Sequence, residues 1–390
     1  MIKSHVLYQL SYGPELVCKL TQILTILEKK DNLISNTRLF SQKIAATEFK
    51  TAKEIVSWMG AVQAQDYAMA KWAVGLRLSD STDEMVESSF NKGEIIRIHA
   101  LRPTWHFVSP DDIYWIINLT AHKILSSLKS RHKQLELSES VIIKSTTLIE
   151  KELGKGTSLT REEIADELHK IRIKTDANRL SHLLFCAELE GIICSGPVKS
   201  KKHTYSLLSS RVPFKKELSR DESIAELAKR YFTSHCPATI QDFSWWSNLS
   251  LNEIRKAIAS VKSEFITDTT VSGQYLYPIS FSEPPAIKNP AYLLPAFDEF
   301  LISYKDRSSS LSLIHNRKAV SDNGIFYPPV VVNGQVAGIW QRTIQNDKVI
   351  VTFNLFQRLN KSLLTLIEKK AVQYGKFLDK ETLIQYKTKE

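Results

Sequence analysis

A recurring order of elements constrains this chain more than any other feature: helix-forming stretches, then two short β-forming runs, then helices again. In the first round, residues 37–44 suit a helix. Thr51-Ala52-Lys53-Glu54 has the spacing of a capping box, in which hydroxyl and carboxylate satisfy each other's orphan N–H groups, and it opens a helix through Trp58. A third helix is expected over 67–78 and a shorter one over 82–90; residues 95–101 and 104–108 then read as strands around Arg102-Pro103. The second round repeats this. Thr160-Arg161-Glu162-Glu163 is again a capping box, with a helix to Lys170 and another over 177–190 stopped by Gly191. Residues 192–194 and 204–207 are strands flanking a basic loop with Lys199, Lys201, Lys202 and His203. A third round spans 221–262, with helices around Pro237-Ala238-Thr239 and Trp245-Trp246 but no evident hairpin. Helices followed by a two-stranded hairpin describe a winged helix-turn-helix.

After about residue 265 the pattern turns to β. Residues 274–279, 292–304 and 330–340 have strand composition. Asn333-Gly334, between Val331-Val332 and Gln335-Val336, is a strong signal for a two-residue hairpin turn. A second hairpin around Asn346-Asp347 leads into 349–353, and an amphipathic helix over 359–374 precedes a polar tail. The expected fold class is α+β: three tandem winged helix-turn-helix units, a C-terminal β-rich, barrel-like domain and a terminal helix. The boundaries follow the composition: 1–35 an N-terminal extension, 36–150, 151–215 and 216–265 the winged units, 266–357 the β domain, and 358–390 the helix and tail.

At 390 residues the chain is long enough for several domains. Its 43% hydrophobic and 24% charged content is that of a globular protein. The net charge of +10 leans toward nucleic acid without excluding an ordinary enzyme. Cys18, Cys186, Cys194 and Cys236 show no metal-ligand spacing, so neither a metal site nor a disulfide framework is expected. No apolar run is long enough to span a bilayer. Glu15 and Lys19 interrupt the N-terminal apolar stretch, unlike a signal peptide. No phosphate-loop, dinucleotide or HExxH motif occurs, and no cofactor is expected.

Between the second and third helices of the first unit stands Gln63-Ala64-Gln65. Residues i and i+2 do not share a helix face, so two amides serving one site require a non-helical chain there. Gly60 before the pair and Asp66 after it supply the break, Asp66 as N-cap of the next helix. The pair is either a loop that hydrogen-bonds backbone or a candidate catalytic pair. On the hairpin that follows, alternation puts Arg97 and His99 on one face, with His106 on the partner strand. Arg97 and Arg102 suit a phosphate, and His99 and His106 a lesion or a bridging water; equally, all are suited to buried hydrogen bonding that fixes the hairpin. Lys199, Lys201 and Lys202 form either a phosphate-touching wing or a solvated loop. Asp298 and Glu299, as adjacent strand residues, point to opposite faces and are not expected to share a site.

Gln63-Ala64-Gln65-Asp66-Tyr67, Arg97 through His106, Pro237-Ala238-Thr239 with Asp242-Phe243-Ser244-Trp245-Trp246, and Leu294-Pro295-Ala296-Phe297-Asp298-Glu299-Phe300 together resemble the AlkZ/YcaQ-like DNA glycosylases, in the family's order from about Thr37 to Phe356. The resemblance implies three winged helices around a DNA-sized cleft and excision of bulky or crosslinked N-alkylated purines. It also implies that Gln63 and Gln65 are the family's Gln-x-Gln catalytic motif, and that a β-domain hairpin probes the minor groove; the Asn333-Gly334 turn, expected to project from the β domain, is either that probe or an ordinary barrel corner. The expected enzyme is a monofunctional glycosylase, a cytoplasmic, nucleoid-associated monomer whose partner is double-stranded DNA containing alkylated purines. The alternative is a non-catalytic winged-helix DNA-binding protein such as a regulator. A winged-helix scaffold for protein contacts is a third possibility.

Overall fold

Hydroxyl–carboxylate reciprocity starts five of the helices. The computed structural model describes residues 31–270, 273–288 and 290–387. The described chain opens in helix α1, residues 31–41. Thr51 and Glu54 form a complete capping box at α2 (Ala52–Met59). The two-residue strand β1 (Val62–Gln63), α3 (Tyr67–Gly75), α4 (Asp83–Lys92), β2 (Ile96–Ala100) and β3 (Thr104–Val108) complete the first group, with sheet order β1-β3-β2.

Two helices that the sequence pattern did not reveal follow: α5 (Ile113–Gln134) and α6 (Glu139–Leu153). They divide their loyalties. Trp115, Ile116 and Ile117 of α5 share a core with Ile224, Phe243 and Trp246 further along the chain. Ile149 and Leu153 of α6 pack with Ile164, Leu168 and Leu183. The second group is therefore α6, β4 (Leu159–Thr160), α7 (Arg161–Lys170), α8 (Arg179–Leu189), β5 (Ile193–Lys199) and β6 (Lys202–Leu207), with sheet order β4-β6-β5. Its α7 starts on the Thr160–Glu163 capping box.

The third group has α9 (Arg220–Ser234), α10 (Ile240–Ser247) and α11 (Leu251–Ser260), each opened by a capping box, at Ser219–Glu222, Thr239–Asp242 and Ser250–Glu253. Strands β7 (Phe265–Thr270) and β8 (Gly273–Pro278) form a two-stranded sheet of their own. This hairpin, which composition assigned to the β domain, docks on the third group: Leu276 N donates to Ala238 O at 2.9 Å and Leu276 is buried in the core of α9 and α10. Strand composition signals a capacity to pair, not the partner.

The C-terminal sheet has the order β13-β12-β11-β10-β9, from β9 (Ala291–Leu293), β10 (Pro329–Val332), β11 (Gln335–Ile344), β12 (Lys348–Leu355) and β13 (Glu381–Tyr386). Two expectations fail here. Residues 294–304 leave the strand after Leu293: Pro295 cannot donate to a ladder, and Asp298 caps a short helix, α12 (Glu299–Ile302), by accepting from Phe300 N at 2.9 Å. The polar tail is itself a strand, with β13 running parallel to β12 as an edge. Its burial alternates between exposed and half-buried, so no continuous apolar run announces it.

Helix α13 (Lys361–Phe377) and α3 meet against this sheet. The Trp72 ring lies 5.2 Å from Tyr374 and 5.0 Å from Phe377, and its Nε1 donates to Leu293 O at 2.8 Å. The approach is close: a Cβ on Gly75 would sit 2.3 Å from Phe377 Cε2. Helix α3 is thus fixed at its C-terminal end by the β domain, which steadies the loop that enters its N-terminal end. No helix among the described residues is long and apolar enough to cross a membrane.

Candidate active site

The Gln63–Gln65 segment is extended because both flanking helices are stopped. Gly60, at φ +77°, ends α2, and Asp66 caps α3 by accepting from Met69 N at 3.1 Å. Between them β1 pairs with β3, Gln63 opposite His106, and Ala64 N donates to Trp105 O at 2.7 Å. Both glutamines are non-helical, and extended chain puts i and i+2 on one face. Gln63 is 5% exposed and Gln65 is open to solvent.

The two amides point their oxygens at the β2–β3 hairpin, Gln63 at its turn and Gln65 at β3. Arg102 Nη2 donates to Gln63 Oε1 at 2.8 Å. A guanidinium only donates, so this bond fixes the amide: oxygen toward Arg102, NH₂ away. Trp105 N donates to Gln65 Oε1 over a longer 3.4 Å. The Gln63 backbone is held separately, its N–H donating to Glu299 Oε1 at 2.7 Å. The other Glu299 oxygen accepts from Trp246 Nε1 at 3.0 Å and from Ser303 Oγ, with His235 Nε2 at 3.9 Å. Burial opposes ionisation of Glu299, but His235, Arg102 and Ser303 outweigh it and hold the carboxyl at about 2. Glu299 is a buried anion at neutral pH. Its neighbour Asp298, also buried, takes both oxygens to the Arg77 guanidinium at 2.9 Å. Adjacent strand residues would point to opposite faces, but at a helix start Asp298 and Glu299 both turn inward. An acidic dipeptide inside an apolar segment was the available signal, since a buried carboxylate demands donors.

His106 is fully buried. Its Nδ1 lies 2.9 Å from Thr104 O, an acceptor, so Nδ1 carries the proton and Nε2 presents a lone pair. Burial and the Arg102 charge push its pKa down to about 3. His106 Nε2, Arg102 Nε and Thr104 Oγ1 are all buried without a partner. Such orphans are rare in native interiors. Three of them lie on the strand-turn-strand segment that faces Gln63.

Two other expected contacts are used up within the protein. Arg97 is buried, with Nε donating to Ala64 O at 3.0 Å and its guanidinium 4.3 Å from the Trp105 ring centre. His99 Nδ1 meets Glu188 Oε2, and its ring lies 4.2 Å from both Trp105 and Phe185. Glu188 and Phe185 belong to α8, so His99 joins the first group to the second. These geometries favour the structural reading of Arg97 and His99. Trp105 is only half-buried between them.

Lys199 Nζ donates to Ser158 O at 2.7 Å, whereas Lys201 and Lys202 are exposed at a two-residue turn with Ser200 and Lys201 at positive φ. His203, next in the chain, packs edge-on against Tyr67 at 4.7 Å. This hairpin is therefore anchored two residues beyond Gln65. Asn333 and Gly334 form the expected two-residue turn, with φ of +51° and +74°. Its tip does not project freely. A Cβ on Gly334 would lie 2.3 Å from Ser35 Oγ of α1, and Gln335 Nε2 reaches Asn32 Oδ1 at 3.4 Å. Asn333 remains exposed, but the turn is roofed by a helix that no hairpin signal foretells.

The model of the family described as AlkZ-like DNA glycosylase matches residues 56–377, which include Gln63, Gln65, Arg102, His106 and Glu299. The chain belongs to the AlkZ-like DNA glycosylase family. An interstrand DNA cross-link repair glycosylase of Streptomyces sahachiroi is 26% identical over 343 residues, which cover 84% of this chain and 90% of that one. The solved structure of Streptomyces sahachiroi DNA glycosylase AlkZ matches with a TM-score of 0.75 at 22% identity, over 91% of this chain and 99% of that chain, which supports the fold. Membership of the AlkZ-like family makes this protein a DNA glycosylase, a hydrolase of N-glycosidic bonds, and a distant homologue of a crosslink-repair enzyme.

Proposed function

We propose that this glycosylase releases cationic N7- or N3-alkylated purines from duplex DNA, bulky adducts and crosslinks included, with Gln63 and Gln65 as the catalytic pair. One observation carries the reading: two neutral amides are aimed at a hairpin with three unpartnered buried polar atoms, in a chain of glycosylase ancestry. Alkylation at N7 places positive charge on the purine and weakens its glycosidic bond. The base departs with the bonding electron pair, the sugar becomes an oxocarbenium-like cation, and water adds at the anomeric carbon while losing a proton to solvent.

A glutamine does not act as a base at neutral pH. Its oxygen has two lone pairs. In Gln63, Arg102 takes one and the other accepts from water. The exposed Gln65 oxygen supplies the second contact, so the water is positioned rather than deprotonated. A guanidinium beside a forming cation is unfavourable in itself; the buried Glu299 carboxylate offsets that charge. The amide dipole then faces the sugar with its negative end.

The three helix-and-hairpin groups are read as winged helices that embrace the duplex in a monomer, with Lys201 and Lys202 on its phosphates and the protein at work in the cytoplasm on the nucleoid. Water, not lysine, takes the anomeric carbon, because the nearest lysine after the motif, Lys71, is buried on Asp83 and Glu87. Incubation with duplexes containing N7-methylguanine or uracil tests the substrate class. N7-methylguanine should be released as free base, with an abasic site left behind and no strand cut. Uracil, a neutral and poorer leaving group, should stay. Equal release of both, or release of neither with DNA binding intact, contradicts the reading, and the second result favours a non-catalytic binding protein.

A further inference from the structure

Trp245 and Trp246 are adjacent in α10, and the fold sends them to opposite tasks. Trp246 is fully buried on Glu299. Trp245 is 44% exposed, and its Nε1 donates to Ile302 O at 2.9 Å, which restrains the ring while leaving surface uncovered. It lines a cavity of about 520 Å³ where the β2–β3 turn meets α10 and α11. Arg102, Thr104, Gln241, Asn248 and Lys305 share the lining, and no carboxylate does. A volume of this order holds a small ligand. Two lining residues carry buried atoms without partners, Arg102 Nε and Thr104 Oγ1. Lys305 is exposed, and its ammonium makes no ion pair among the described residues.

The charge decides what fits. Arg102 and Lys305 line the cavity, and the Arg307 guanidinium lies 5.3 Å from the Trp245 ring centre. An alkylated purine is itself a cation and is repelled. A neutral base with its phosphate meets an aromatic face and the exposed, unpaired Lys305 ammonium in a lining that holds no carboxylate. We infer that this cavity binds a second nucleotide of the DNA, an unstacked neutral base on Trp245 with its phosphate at Lys305 and Arg102, while the alkylated purine stays outside. The inference rests on the glycosylase reading and deepens it. Arg102 also fixes the Gln63 amide, so an occupied cavity steadies the group that positions water.

The test is fluorescence anisotropy with a labelled duplex carrying one unpaired nucleotide, against the continuous duplex of the same sequence. Wild type should prefer the bulged duplex by about tenfold, the scale of one base stacked on an aromatic side chain. Trp245→Ala should remove the preference and Trp245→Phe should keep most of it. Lys305→Ala should weaken the bulged duplex more than the continuous one. Thermal melts confirm that each variant is folded. Equal wild-type affinity for both duplexes, or a preference that survives Trp245→Ala, overturns the inference. Base release from an N7-methylguanine duplex, run in parallel, separates the two claims. Release without a bulge preference overturns the cavity alone. A bulge preference lost in Trp245→Ala, with no base release by wild type, supports the cavity and overturns the glycosylase reading.

Discussion

Gln63 is held at its amide by Arg102, at its backbone by Glu299, and in register by His106. Glu299 is therefore a positioning residue. Glu299→Gln keeps the shape and one acceptor but removes the charge that offsets Arg102, and should slow base release by roughly tenfold, a third to two thirds of the ~2–4 kcal/mol an aligned dipole supplies. Glu299→Ala strands Trp246 Nε1 and the Gln63 N–H and should cost about 3 kcal/mol or more in urea unfolding. Acid should destabilise the fold in two stages. His106 has a folded pKa of about 3 against an ordinary 6.5, so the unfolded chain takes its proton first and stability falls as pH drops below 6.5. Glu299, at about 2 against 4.5, contributes stability above 4.5 that is lost as pH falls toward 2. Melting temperatures at pH 7, 5.5 and 4 should decline steadily, and His106→Gln should flatten the upper part of that decline. Neither group titrates between pH 6 and 8.5, so base release should be level across that range. The non-helical loop was legible because Gly60 and Asp66 act locally on the chain. Glu299 was not, because its partner lies 236 residues away and its helical turn has the composition of a strand.

At the scale of elements, local chemistry predicted starts and turns well and partners poorly. The capping boxes at Thr51 and Thr160 and the Asn333-Gly334 turn all stand where the sequence put them. The 265–278 hairpin has the same strand composition as the C-terminal sheet, yet its apolar side is completed by α9 and α10. Helices α5 and α6 went unread because their apolar residues serve two different cores. The roof over the 333–334 turn makes a separate prediction. Gly334→Ala meets both a positive φ and Ser35 Oγ at 2.3 Å, and should lower the urea midpoint by the equivalent of about 1–3 kcal/mol without altering the denaturant slope. No loss of stability would mean that α1 does not press on the turn.

At the scale of the molecule, the site is assembled from parts that no single group owns. The glutamines come from the first group, the Glu299 and Trp246 support from the β domain and the third, and the Lys201–Lys202 hairpin from the second, anchored through His203 on Tyr67. A net charge of +10 and that basic turn predict binding dominated by phosphate contacts. With six or more phosphates engaged, duplex affinity should fall by about 10³-fold between roughly 50 and 200 mM salt; a salt-insensitive affinity would contradict the wrapped duplex. The central claim is that two neutral amides position water at the sugar. The measurement that tests it most directly is single-turnover base release from an N7-alkylguanine duplex by wild type, Gln63→Ala, Gln65→Ala and Gln65→Glu, each verified as folded and DNA-bound. Both alanine variants should be slowed, by up to roughly 10²–10³-fold if each dipole is worth ~2–4 kcal/mol, and Gln65→Glu should match or exceed wild type because a carboxylate adds a base to a position that already holds the water. Alanine variants as fast as wild type, or a wild type that releases no base at all, would contradict the account.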